Sequence, residues 1–257
     1  MLDGHVHIHN QPYSLDTIEK MVEVAISKGV DEINILDHTH KFFEFNFLYT
    51  SLKGEHSLAF FERKKKTQVP LQSYIEFVQE VKSKKWPIKL NFGLEVCYFK
   101  EHEEEFKSFI KSLEPFKFDF LIGSVHYTDG MCVDLCEEIF LEVDVDEFYR
   151  HYFRDLKDAI DSRIFDVIAH PDLIKLFNHY PSYSLLPYYE DLAKEFKKYN
   201  QRTENNSGLI RHGYPYPGMA KELIEALKKY DVKFHKSSDA HVYTDIGRVF
   251  DELEDNL

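Results

Sequence analysis

The chain has 257 residues, 43% of them hydrophobic, and 32 basic against 45 acidic side chains leave a formal net charge of −13. That length is normal for one α/β barrel and the apolar share supports a large core, so a single domain over residues 1–257 is expected. The acid excess argues against a broad nucleic-acid surface, whose affinity comes mainly from neutralised phosphates, but a local cation cluster can still hold a small phosphate ester.

The apolar pattern alternates strand and helix. Residues 2–7 predict a strand. Ser14 or Asp16 can cap a helix whose apolar positions Ile18, Met21, Val22, Ala25 and Ile26 repeat at helical spacing, and Gly29 supplies its stop. A strand over 32–38 follows. The insertion around 40–67 carries the basic run Arg63-Lys64-Lys65-Lys66, read as a solvated loop or helix end, or as a means of drawing in an anionic substrate. Helices are then expected over 71–84, 101–113, 146–160, 185–199 and 219–230, and strands over 88–96, 118–126, 165–170, 202–206 and 232–238. A last helix is expected over 246–253. This gives seven strand–helix units without a linker, with short apolar strands of the kind found in parallel sheets covered on both faces.

Cys97, Cys132 and Cys136 are odd in number and have no repeated spacing, which suits a reduced, cytoplasmic protein. Cys132 and Cys136 meet no second pair at zinc-finger spacing. No signal peptide is expected before the first strand, and no apolar run approaches the roughly 20 residues of a membrane span.

Metal-type side chains stand at the C-terminal tips of these strands: His5 and His7, His38, Glu95, His126, His170, and Asp239 with His241. His5 and His7 are two apart, so they project to one face and can chelate one divalent ion; Asp239 and His241 repeat the spacing. Taken singly, each is an ordinary buried polar residue. Together they suggest a barrel with one polar mouth where a metal site can form.

In order along the chain, Asp3-Gly-His-Val-His7, Asp37-His38, Gly93-Leu-Glu95, Gly123-Ser-Val-His126, Ala169-His-Pro-Asp172, Asn205-Asn-Ser-Gly-Leu209 and Ser238-Asp-Ala-His241 resemble the PHP (polymerase and histidinol phosphatase) superfamily. The Gly-Ser-Val-His and Asn-x-Ser-Gly-Leu elements look most like its histidinol-phosphatase branch. The resemblance implies an α/β fold, a distorted (β/α)7 barrel with a metal site at the C-terminal strand ends. It also implies two or three divalent ions, of zinc, manganese or iron. His5, His7, Glu95 and Asp239 would hold the first; Glu95 would bridge to a second, on His126 and His170; His38 and His241 would hold the third. Asp37 would support the ligands rather than be one.

The family usually places another His or Asp eight residues after the first His. Here that residue is Tyr13. His9 is a candidate replacement, since it keeps the parity of His5 and His7 if the strand stays extended; otherwise the third site is weaker or closed by water. His40 is the lesser candidate, read first as a loop histidine.

Clustered divalent ions suit hydrolysis of a phosphomonoester. Asp239, Glu95 and His241 are the expected catalytic set, with Asp239 orienting the nucleophile. The resemblance makes Arg211 a phosphate clamp, where bidentate geometry suits Arg. Asn205 and Ser207 either donate to phosphate or hold the loop. Tyr214-Pro-Tyr-Pro217 walls the pocket or only stiffens a turn, His212 is read as a loop residue, and Cys97 as a packing residue unless its strand runs past Glu95. The expected activity is hydrolysis of a small phosphorylated substrate, foremost L-histidinol phosphate, in histidine biosynthesis. The alternatives are a nucleotide or phosphotyrosine phosphatase, or a metal-binding module without catalysis.

Overall fold

In a computed structural model of the chain, which describes residues 1–8 and 10–257, the alternation seen in the sequence closes into a barrel. The strands are β1 (Leu2–His7), β2 (Glu32–His38), β3 (Lys89–Cys97), β4 (Phe120–Ser124), β7 (Val167–Ile168), β8 (Arg202–Asn206) and β9 (Phe234–Ser237). They form one seven-stranded sheet in chain order, all neighbours parallel. A parallel bridge between Val6 and Ala240 joins the first edge to the last, with the His7 N–H donating to the Ala240 carbonyl at 2.7 Å. The expected barrel is therefore nearly closed. A short hairpin, β5 (Tyr127–Thr128) and β6 (Met131–Cys132), stands apart from it.

The helices follow their local signals. In α1 (Leu15–Ser27), the Thr17 N–H donates to Ser14 Oγ at 3.3 Å, so Ser14 is the cap rather than Asp16. Ile18, Met21, Val22 and Ala25 are buried against the barrel, while Ile26 points to solvent. Gly29 ends the turn with φ +70°, a conformation that costs glycine little. The other helices are α2 (Glu55–Lys65), α3 (Leu71–Lys82), α4 (Glu103–Ser112), α5 (Val145–Asp161), α6 (Leu186–Tyr199) and α7 (Lys221–Lys229).

The insertion is folded rather than loose: 3-10 turns over Thr39–Lys41 and Phe43–Ser51 lead into α2. Phe42, Phe45, Leu48 and Phe61 bury their side chains there, and the basic run forms the largely exposed end of α2.

The expected last helix is absent. Gly247 and Val249 have positive φ, which breaks a helical run. The backbone groups a helix would pair are taken by the barrel instead. The Gly247 N–H donates to Asp3 Oδ2 at 2.8 Å, and the Arg248 and Phe250 carbonyls accept from Ser207 Oγ and Lys236 Nζ.

Register aligns the strand tips. His38 pairs with Glu95, Cys97 with Ser124, Ile168 with Thr203, and Glu204 with His235. Gly123 lets the wall close behind them: a Cβ there would stand 2.3 Å from the Phe165 ring.

Candidate metal centre

The eight strand-tip residues expected to bind metal converge at the C-terminal mouth of the barrel. Glu95 lies at the middle, almost fully buried. Its Oε1 is 3.1 Å from His170 Nε2 and 3.4 Å from His126 Nε2. Its Oε2 is 2.8 Å from His38 Nδ1 and 3.5 Å from the Nε2 atoms of His5 and His7. The His5 and His7 Nε2 atoms are 3.0 Å apart. Asp239 Oδ1 is 3.1 Å from His7 Nε2 and 3.4 Å from His241 Nδ1. Among the described residues, three sets of donor atoms lie within 4.8 Å of one another: His5, His7 and Glu95; Glu95, His126 and His170; and His7, His38 and His241.

This donor set fits divalent ions. Among the described residues, Glu95 Oε2 and Asp239 Oδ1 are buried carboxylate oxygens without a hydrogen bond, although imidazole nitrogens crowd around them. Burying charged oxygens unsatisfied is costly, and a cation shared between carboxylate and imidazole would remove the cost. Mixed imidazole and carboxylate donors suit zinc, manganese or iron. The grouping differs in one respect from the expected assignment, because His7 sits in two of the sets.

Electrostatics divides the donors. Burial would lower His5 and His170, but the carboxylates beside them, Glu204 and Asp239 at His5 and Glu95 at His170, overcome it and raise both toward the protonated form. His7, His126, His241, Glu95 and Asp239 favour their ligating forms. Burial pushes the His7 imidazole well below its usual range, and the neighbouring His241 and His38 add to this. Burial likewise lowers His126, and lowers His241 to about 4. Burial alone would raise the carboxyls of Glu95 and Asp239. The imidazoles around Glu95, and His5 with Arg211 beside Asp239, overcome it and hold both well below the carboxylate range. Neutral imidazole and ionised carboxylate are the states a metal needs.

Local geometry aims these groups. Asp239 has φ +51° and His170 φ +22°, sparsely populated conformations of the kind that gather at functional sites. Gly208 leaves room for Asp239, whose Oδ2 would stand 2.4 Å from a Cβ at that position. His126 Nδ1 faces Ser124 Oγ at 3.1 Å and Cys97 Sγ at 3.4 Å.

Three sequence expectations need correction. Asn205 turns away from the mouth: its Oδ1 accepts from the Met219 N–H and its Nδ2 donates to the Glu254 carbonyl. Ser207 is fully buried and its Oγ lies 3.2–3.4 Å from the carbonyls of Arg248, Ser237 and Ser238. Both hold loops, because strand parity sends Glu204 and Asn206 inward instead. Cys97 is still within β3, so it faces the site beside His126; burial pushes its thiol up, which leaves it inert.

Tyr13, at the position of the missing ligand, packs on Phe77 and Tyr74, and its hydroxyl donates to Asp37 Oδ2. Asp37 Oδ1 accepts the His38 N–H at 2.9 Å, so Asp37 supports His38, and burial pushes its carboxyl up to about 6. His9 lies outside the described residues. His40 stacks on His38 with ring centroids 4.6 Å apart. Arg211 Nη1 donates to the Asp239 carbonyl at 2.7 Å and lies 2.6 Å from His241 Nδ1.

Sequence reasoning missed Glu204. It is fully buried, and its two oxygens lie 3.0 and 3.2 Å from His5 Nδ1, which leaves His5 Nε2 facing the cluster. It also accepts the His170 N–H at 3.2 Å and an amide N–H of Asn206 at 2.7 Å. Burial opposes its ionisation, but His5 draws its carboxyl down to about 2. The signal was its inward parity on β8.

A cavity of about 340 Å³ opens on the centre, lined beyond the cluster by Lys64, Phe60, Asp134, Leu209, Arg211 and His212.

A family model described as PHP domain matches residues 3–208. The "Histidinol-phosphatase" of Bacillus subtilis is 24% identical over 269 residues, covering 97% of this chain and 96% of the relative. A solved protein of Listeria monocytogenes superposes with TM-score 0.77 at 20% identity, over 98% of this chain and 99% of its own. A histidinol phosphate phosphatase of Lactococcus lactis, solved with zinc, L-histidinol and phosphate, superposes with TM-score 0.66 at 20% identity, over 94% of this chain and 86% of its own.

Proposed function

The chain belongs to the PHP domain family, and from that membership we propose that it is a metal-dependent phosphatase hydrolysing L-histidinol phosphate to L-histidinol and phosphate, a step of histidine biosynthesis. The observation that carries this reading is the placing of Glu95 between two imidazole groups, one carboxylate oxygen toward each. The substrate follows from the B. subtilis relative and from the ligands of the L. lactis protein.

Two or three divalent ions are expected, zinc first among zinc, manganese and iron. His5, His7, Glu95 and Asp239 would hold one, Glu95, His126 and His170 a second, and His38 and His241, with His7 beside them, a third. When bound, such ions neutralise phosphoryl oxygens and make a water acidic enough to supply hydroxide near neutral pH. Asp239, ionised and held by its backbone turn, orients the attacking oxygen. Arg211, fixed by the Asp239 carbonyl, offers its remaining N–H groups to phosphate. His241 completes the catalytic set, and Glu95 fixes the spacing between the two halves of the site. Burial of the cluster limits competing water.

The proposed unit is one domain over 1–257, acting on a small phosphorylated metabolite in the cytoplasm. None of its helices among the described residues is long and apolar enough to cross a membrane.

The test is metal analysis of the purified protein, followed by phosphate release from a panel of monoesters and diesters with added manganese or zinc. L-histidinol phosphate should be the best substrate. Release from a nucleotide or phosphotyrosine alone would move the substrate assignment. No release from any monoester with metal bound would leave a binding module. Asp239→Asn should abolish turnover, and a variant that kept its rate would remove Asp239 from the catalytic set.

A further inference from the structure

The cavity over the metal centre carries a carboxylate that phosphate chemistry does not use. Asp134 lies just beyond the β5–β6 hairpin, half-buried in the cavity wall. The hairpin holds it firmly. The Gly130 carbonyl accepts the Lys53 N–H at 2.8 Å, and the Val133 N–H donates to the His126 carbonyl at 2.9 Å. Asp134 is thereby tied to the wall beside a metal-facing imidazole.

It has few protein partners. The Cys132 thiol donates to Oδ1 at 3.1 Å, and among the described residues no other side chain hydrogen-bonds it and no basic group pairs with it. A thiol is a weak donor and leaves most of the carboxylate's acceptor capacity open to the cavity. His126 and His212 feel the charge of Asp134 across the cavity without hydrogen-bonding it, and the permanent cations of the cavity wall are engaged elsewhere. Arg211 is bound to the Asp239 carbonyl on the metal side, and Lys64 stands over the Phe60 ring at the rim. Phosphate itself is repelled by Asp134. The part of a substrate that can satisfy this carboxylate is therefore a cation on the alcohol that leaves.

We propose that Asp134 is a specificity-determining residue that pairs with a protonated amine or imidazolium on the leaving alcohol of the phosphomonoester. This rests on the phosphomonoesterase reading. A neutral alcohol leaves the carboxylate unpaired, and an anionic one adds repulsion, so the residue selects by penalising the wrong substrate as much as by holding the right one.

The experiment compares wild type with Asp134→Asn, Asp134→Ser and Asp134→Glu, all as metal-loaded protein checked for unchanged metal content. Two readouts are taken: calorimetric binding of L-histidinol, which needs no turnover, and kcat/KM for L-histidinol phosphate against p-nitrophenyl phosphate, whose leaving group is uncharged as the acid. Asn and Ser should weaken L-histidinol binding and raise KM for its phosphate by about 10–100-fold, as for loss of a charge-assisted bond, and leave p-nitrophenyl phosphate within about twofold; Glu should retain part of the preference. An equal fall on both substrates, or no change on either, overturns the proposal. So does wild type that fails to bind L-histidinol. Wild type that binds L-histidinol in an Asp134-dependent way but releases no phosphate from any ester sinks the phosphatase reading and leaves the cation subsite standing.

Discussion

Glu204 shows how one buried side chain can set a ligand's direction without touching the metal position itself. Both of its oxygens face His5 Nδ1, so the proton belongs there and Nε2 is left for the cluster. Glu204→Gln keeps the shape but not the charge, and should weaken metal binding by about 10–100-fold, read as metal content after dialysis against graded chelator. Unchanged retention would reduce Glu204 to a packing role. His235, its neighbour in register on β9, gives a separate prediction. Burial lowers this imidazole to about 4, against about 6.5 in the unfolded chain. The folded state thus holds it neutral, and its contribution is whole above pH 6.5. It is lost as pH falls toward 4, where the unfolded chain takes up the proton, an effect of up to about 3 kcal/mol. His235→Gln should flatten that part of the stability profile, measured by urea unfolding at pH 7 and pH 4.5. A profile parallel to wild type would show that His235 does not titrate as described.

Among the elements, the segment after β7 is held by a buried ion pair rather than by a regular strand. Lys175 Nζ is 2.6 Å from Asp172 Oδ2 and donates to the Gly218 carbonyl at 2.8 Å, while Asp172 Oδ2 also accepts the Ala220 N–H. This fastens the His170 turn to the entry of α7. Lys175→Ala leaves a buried carboxylate unpaired and should cost about 3–5 kcal/mol, and Asp172→Asn with Lys175→Met should recover much of it. Denaturant melts of both variants decide this; a single variant as stable as wild type would mean that water pairs Asp172. At this scale the sequence was legible where a pattern was local. The period of α1, its Ser14 cap, its Gly29 stop and the bounds of β1 and β2 all follow from neighbouring residues. The last helix failed because Asp3, Ser207 and Lys236, distant in sequence, take its backbone partners.

For the whole molecule, the nearly closed barrel sets like next to unlike at its mouth: imidazoles, carboxylates and one guanidinium within a few ångströms. A metal that binds only the folded state stabilises it by mass action, about 2.7 kcal/mol at a hundred times the dissociation constant. Chelation should therefore lower the melting temperature by several degrees, with recovery on adding zinc or manganese. A melting temperature that does not move, in protein shown to have lost its metal, would mean that the cluster is equally stable without ions.

The sequence by itself determined the alternation of strands and helices, the strand-tip positions of the ligand-type side chains, and their order along the chain. These rest on local period and on residue identity, which need no knowledge of what lies opposite. Only the tertiary structure decided which tips meet. Closure of β1 on β9 brings Asp239 to His7, and strand parity on β8 turns Glu204 to His5 and Asn205 away. The same closure puts Tyr13 on Asp37, and the hairpin puts Asp134 into the cavity wall. A side chain's partner is fixed by the register of distant strands, and that register comes from packing the whole sheet at once.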